Sequence, residues 1–244
     1  MRSIWFAVGL AAACAPALAE DVKAVTAPSF KIGDLWVYDQ TMEKGPTGFN
    51  QFRVDLAIER LNDTTMMVGI KRDGAPTAYE DHMVGQDWSQ RRVVDGEETV
   101  TTRPLTFPMS PGQNWTIDFN DTIRRGNQLS VRVHRVYKVV GWQEVVVPAG
   151  TFRALKVEAN GVDKATVEVP AAAVSGALAQ SNGATTIAHT QPGGRNEVVR
   201  QIYGEFYYVP EIKATVKSVE EQYTPDNVRV SRETRALVSY KPAG

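Results

Sequence analysis

Beyond the first thirty or so residues, apolar side chains recur at every second position far more often than at every third or fourth, and β-branched and aromatic residues are frequent. That periodicity predicts strands, because only an extended chain sends successive side chains to opposite faces. The runs fall near residues 35–43, 51–60, 64–72, 88–94, 97–103, 115–125, 128–140, 143–147, 152–159, 197–209, 214–222 and 228–239. Asp95-Gly96 and Gly126-Asn127 separate neighbouring runs, and both pairs tolerate the positive φ of a tight hairpin. Pro148-Ala149-Gly150 fits a type I turn, with proline presetting φ and Gly150 taking a left-handed conformation. Pro225-Asp226-Asn227 makes the last hairpin.

Short links of this kind place strands adjacent in sequence beside one another in space. The expected fold is all-β, a single antiparallel meander of about twelve strands. So many strands in a flat sheet would leave long edges, so the sheet should curl into an open barrel, a half-barrel or a sandwich. The exception to the pattern is residues 169–194, where Pro170, three consecutive alanines, Ser175-Gly176, Asn182-Gly183 and Pro192-Gly193-Gly194 interrupt any period. This stretch reads as a long loop or lid inserted between strands, with room for one or two helical turns over 171–180. No repeat or composition shift divides the rest, and residues 20–244 are expected to form one domain.

The first nineteen residues follow a different rule. Arg2 precedes an apolar run from Ile4 to Ala13, then Pro16 and the small-residue pattern Ala17-Leu18-Ala19. This is the pattern of a secretory signal peptide cleaved after Ala19; its apolar run is too short to span a bilayer. The alternative is that Ala11-Ala12-Ala13-Cys14 acts as a degenerate lipobox, leaving an acylated Cys14 as the first residue of a lipoprotein. Cleavage after Ala19 leaves 225 residues, 26 basic and 28 acidic, with no cysteine. Thiol catalysis, disulfides and cysteine metal sites are then excluded together. The near-neutral balance provides no field for nucleic acid, and no later stretch is long and apolar enough to form a transmembrane segment.

Motifs for chemistry are sparse. His82, His134 and His189 lie in separate segments without metal-ligand spacing, and no Gly-x-Ser-x-Gly elbow, phosphate loop or GxGxxG is present. No catalytic residue, metal or cofactor is assigned. Glu80-Asp81-His82 reads as a polar turn, and Asp118 with Asp121 is the carboxylate pair a fold would have to assemble for acid–base work. Aromatic residues stand out instead: Trp36 and Tyr38 share a strand face, and Trp88, Trp115, Trp142, Phe152 and Phe206-Tyr207-Tyr208 follow. Such side chains suit either a β core or the wall of a ligand cavity.

Four motifs run in order along the chain: Gly33-Asp34-Leu35-Trp36-Val37-Tyr38, Phe107-Pro108-Met109-Ser110-Pro111-Gly112-Gln113-Asn114-Trp115, Val147-Pro148-Ala149-Gly150-Thr151-Phe152, and Tyr207-Tyr208-Val209-Pro210-Glu211-Ile212-Lys213. In order and spacing this set resembles the bacterial exported proteins grouped as domain of unknown function 3108 and their TapB-like relatives. The resemblance implies an exported β-rich domain, a curved sheet or open barrel similar to lipid-carrier and lipocalin-like folds, and supplies no catalytic residues. The Ala/Gly-rich insertion before Tyr207-Tyr208 departs from the pattern.

The expectation from residues and resemblance together is a periplasmic or secreted, non-enzymatic protein. Its curved sheet would enclose a hydrophobic or amphipathic ligand such as a lipid, with Trp36, Tyr38, Trp115, Phe152 and Tyr207 as wall residues. An alternative is an envelope assembly or interaction protein working through a strand edge or the 169–194 loop. A third reading is a hydrolase of envelope glycan or peptide using carboxylates such as Asp118 and Asp121.

Overall fold

The computed structural model describes residues 24–75, 79–94, 96–122, 126–169, 172–173, 190–191 and 193–244. The leader with Cys14, and most of the 169–194 segment including His189, lie outside the described residues. Every regular element described is a strand: β1 (Leu35–Lys44), β2 (Gly48–Leu61), β3 (Thr65–Arg72), β4 (Glu80–Gly85), β5 (Gln90–Val94), β6 (Glu97–Thr102), β7 (Asn114–Asp121), β8 (Gln128–Val147), β9 (Gly150–Val169), β10 (Ala172–Ala173), β11 (Thr190–Gln191), β12 (Gly194–Val209), β13 (Ala214–Tyr223) and β14 (Arg229–Lys241).

Ten of them form one antiparallel sheet in the order β4-β3-β2-β1-β14-β13-β12-β9-β8-β7, and β5–β6 is a separate hairpin. The first and last strands are neighbours: β1 pairs with β14 from Leu35↔Lys241 to Lys44↔Ser231. The sheet stays open, with β4 and β7 at its edges.

The differences from the sequence reading have local causes. Strand β4 replaces the expected polar turn at Glu80-Asp81-His82; it is an edge strand with four exposed residues, so it lacks an alternating apolar signature. The expected strands 128–140 and 143–147 are one strand, because a bulge between Val139 and Gly141 shifts the phase of alternation there, with Gly141 at φ 146°. Strand β9 runs ten residues past the expected 159, through the polar Asn160-Gly161 pair. Gly161 suits that place: a Cβ there would run into the carbonyl of His134 and the side chain of Arg135 on β8. The Pro148-Ala149 turn connects Val147 to Gly150, whose φ is 133°.

At the base of the 169–194 segment, expected to be a loop with room for helical turns, Ala172 and Ala173 are extended and paired with Gln191 and Thr190. Their pairing has the same register as Gly194↔Val169, and β10–β11 form a two-stranded sheet of their own.

Side chains from β4, β3, β2, β1, β14, β13 and β12 line one chamber of about 160 Å³. In a flat sheet β4 and β12 would stand roughly 29 Å apart, six spacings of about 4.8 Å. The sheet therefore curls, and its inner face is covered by β5–β6 and the 103–113 segment. Two buried clusters fill the interior. One joins Phe30, Trp36, Tyr38, Ile58, Met66, Val216 and Leu237. The other joins Leu105, Met109, Phe119, Tyr137, Val157, Phe206 and Tyr208, and Trp88 packs against both.

Candidate functional site

Two places on this framework gather polar groups inside the protein. The first is a clasp at the end of the sheet. The Trp36 indole N–H donates to the Ile212 carbonyl at 2.8 Å, the Trp88 indole to the Lys213 carbonyl at 3.0 Å, and the Tyr38 hydroxyl to the Thr215 carbonyl at 2.9 Å. Three aromatic side chains thus hold the β12–β13 turn, in which Lys213 has a φ of 63°. Trp36 is also stacked on Tyr240 and meets Phe30 and Trp88 edge-on.

Asp34 closes the clasp. It is 0% exposed and accepts from Lys213 Nζ at 2.9 Å and from the backbone N–H groups of Lys31 and Ala243 at 3.0 and 2.9 Å. Burial alone would raise its pKa; the Lys213 ion pair and the backbone donors outweigh that and hold the carboxyl below the usual carboxylate range. Two of the motifs behind the family resemblance, 33–38 and 207–213, meet here.

The second place is the chamber. Tyr38, Leu56, Val68, Trp88, Leu105 and Phe206 give it apolar walls, and Ser218, Glu220 and Arg235 a polar side. Leu56, Ile70 and Arg235 also border an adjoining hollow of about 410 Å³, reached past Gln40, Phe52 and Arg72. The Arg72 guanidinium lies 3.4 Å over the Phe52 ring at that rim.

Glu220 faces Glu233 directly across β13 and β14. Like charges in that position oppose pairing unless something compensates. Glu233 is compensated: Gln40 Nε2 donates to it at 2.8 Å and Arg235 reaches it at 3.1 Å, while Arg235 Nε also donates to Gln40 Oε1 at 3.2 Å. The other nearby cation, Arg135, donates twice to Asp163, at 2.6 and 3.3 Å. Glu220 makes no hydrogen bond or ion pair among the described residues. Its side chain is exposed and borders the chamber. Partial desolvation within the curl of the sheet raises its pKa, Glu233 adds to the rise, and Arg235 and Arg135 offset it only in part.

The five aromatic residues singled out in the sequence separate in space. Tyr38 lines the chamber. Trp36 is fully buried in the clasp beside it. Trp115 stacks on Tyr137 at 5.5 Å and donates to the Arg103 carbonyl, and Phe152 is half-buried beside the β8–β9 turn, whose Ala149 N–H donates to Leu237 O. Tyr207 occupies the opposite face from Phe206, in a network where Lys156 Nζ reaches Glu158 and Glu205 at 2.7 Å and the Tyr203 and Tyr207 hydroxyls donate to Glu205. In that network every charge has a partner.

Asp118 and Asp121 are not a pair: three residues apart on β7, they point to opposite faces, Asp118 exposed and Asp121 buried. Asp118 instead meets His134 at 2.8 Å across the strands. His82 lines the chamber from β4. No group of three or more metal-ligating side chains occurs among the described residues. Sequence reasoning missed Glu220, Gln40 and Arg235. The available signal was the row Val216, Ser218, Glu220, where a carboxylate follows two buried positions at the same period.

No protein-family model matches the chain, and no curated protein matches it significantly. Three solved structures are similar at low identity. A Parabacteroides distasonis protein provisionally described as a lipoprotein shares 14% identity over 90% of this chain and 100% of its own, with a TM-score of 0.45. A Bacteroides fragilis protein described as exported, with a YmcC-like fold, shares 13% over 89% and 99%, with a TM-score of 0.44. The lipoprotein YmcC of Escherichia coli, itself described as hypothetical, shares 10% over 86% and 85%, with a TM-score of 0.32. The resemblance to domain of unknown function 3108 rests on the four motifs.

Proposed function

We propose that this chain is an exported, non-enzymatic protein that binds a small amphipathic ligand on the inner face of its curled sheet. Export is read from Arg2, the apolar run and Ala17-Leu18-Ala19. The observation that carries the binding reading is the chamber, with apolar walls and a few polar groups, beside a hollow of about 410 Å³ that shares Leu56, Ile70 and Arg235 with it and is within the range of small-molecule sites. A cavity of that size in a sheet able to close tightly elsewhere leaves dispersion contacts unmade, which a ligand would supply. Tyr38 is the wall residue common to the sequence reading and the chamber. Trp36 supports it from the clasp, while Trp115, Phe152 and Tyr207 serve the surrounding packing.

Ser218 points into the chamber from β13 and is small, so Ser218→Phe fills it while suiting a strand. Titration with the neutral dye N-phenyl-1-naphthylamine should give saturable fluorescence with the wild-type protein and at least tenfold weaker binding with Ser218→Phe. Equal binding by the two proteins, each shown to melt cooperatively, would place the dye elsewhere and remove the reading.

A further inference from the structure

The polar groups of the chamber divide by depth. His82 and Glu220 are exposed, and Arg235 is half-buried and engaged by Glu233 and Gln40. Among the uncharged groups, Gln90 is exposed, and Thr102 and Thr215 are half-buried. Tyr38 is buried, and its hydroxyl donates to the Thr215 carbonyl. Ser218 differs from all of these. It is only 9% exposed, yet its hydroxyl has no hydrogen-bond partner among the described residues, and it is not sealed in by protein as the unpartnered hydroxyl of Ser89 is. The chamber is its open side, and the other buried walls include Leu56, Val68, Leu105 and Phe206. A hydrocarbon chain closing over Ser218 would leave a buried donor and acceptor unmet. An ionised head group brought in to it would lose its water and find one neutral dipole in return. An uncharged oxygen sheds its water at far lower cost and accepts the Ser218 proton.

We propose that the chamber takes its ligand by an uncharged oxygen, a hydroxyl or carbonyl on an alkyl or aryl body, which accepts a hydrogen bond from Ser218 while the body lies against Leu56, Val68, Leu105 and Phe206. This inference rests on the binding reading above and adds the polar group that the site selects. Arg235 stands directly opposite Ser218 across β13 and β14. Its guanidinium already serves Glu233 at 3.1 Å and Gln40 at 3.2 Å, and Gln40 itself donates to Glu233 at 2.8 Å. The arginine is thereby held toward Gln40 and the adjoining hollow, and a carboxylate ligand would have to compete with Glu233 for it.

The test uses three probes with one chain length, decan-1-ol, decanoate and decylammonium, each displacing N-phenyl-1-naphthylamine at pH 8 below its micelle concentration, with the dye's own affinity measured for every protein. The wild type should bind decan-1-ol about tenfold or more tightly than either ion. Ser218→Ala removes only the hydroxyl, and should weaken decan-1-ol about fivefold more than it changes either ion. If Ser218→Ala treats the alcohol and the ions alike, the assignment of the polar group to Ser218 is overturned and the binding reading stands. Decanoate or decylammonium binding the wild type as tightly as the alcohol overturns it in the same way, the first by showing that Arg235 can be recruited. If none of the three displaces the dye from a chamber that Ser218→Phe blocks, the assignment also falls. If the dye itself does not bind, both fall together.

Discussion

Asp34 and Glu220 are both carboxylates of the same curled sheet, one fully buried and the other exposed. Asp34 has a lysine and two backbone donors, and the clasp around it is closed by three aromatic hydrogen bonds. Glu220 faces another carboxylate, and the two arginines near it are committed elsewhere. Asp34 is buried and must find its partners within the protein, whereas Glu220 is exposed and can be solvated by water, so only the first charge has to be satisfied by the fold.

The comparison can be tested from its stable side first. Trp36→Ala removes a fully buried indole, its stack on Tyr240 and its hydrogen bond to Ile212, and should cost about 4 kcal/mol in denaturant unfolding. Asp34→Ala leaves Lys213 and two backbone N–H groups without their acceptor and should cost about 3 kcal/mol. A loss below about 1 kcal/mol in either would mean the clasp is not what holds the β12–β13 turn. Tyr38→Phe loses only the bond to the Thr215 carbonyl, an expected cost of about 1 kcal/mol, and keeps the chamber wall.

The smallest effect has the opposite sign. Glu220 has a raised pKa in the folded protein, so between the unfolded and folded values the folded state holds a proton that the unfolded chain has released. Its contribution to stability grows as pH falls from above that folded value toward the ordinary glutamate range, and diminishes again as pH rises. Glu220→Gln should therefore be more stable than the wild type near neutral pH, with the gap closing below about pH 4. Asp34, with a lowered pKa, contributes stability above the ordinary aspartate value that is lost as pH falls through its folded value. Unfolding of the three proteins across pH 3 to 8 separates the terms. A Glu220→Gln protein less stable than wild type at neutral pH would show that the carboxylate has a structural partner.

The all-β class and most strand positions were legible because period-two alternation is imposed by the sheet itself. It failed where the local pattern did not carry that period. Strand β4 is charged and at an edge, the bulge at Gly141 resets the phase, and Asn160-Gly161 lies where β8 and β9 come too close for a Cβ. The pairing of β1 with β14, which brings the 33–38 motif onto the strand beside the 207–213 turn, joins residues some two hundred apart and leaves no local trace. The aromatic residues announced themselves by size, but size cannot tell wall from packing. Tyr38 and Tyr207 read alike in sequence and lie in different surroundings because β12 presents Phe206 inward and Tyr207 outward. The polar side was silent: Glu220 sits beside Glu221, an ordinary surface pair until the register places one of them opposite Glu233.

The central claim is that the chamber is occupied. Native mass spectrometry of the protein isolated gently from the envelope of its own host, compared with Ser218→Phe prepared in the same way, tests it most directly. The account predicts a small-molecule adduct on the wild-type chain that is absent from Ser218→Phe. A wild-type chain carrying no adduct, or the same adduct on both proteins, would contradict it.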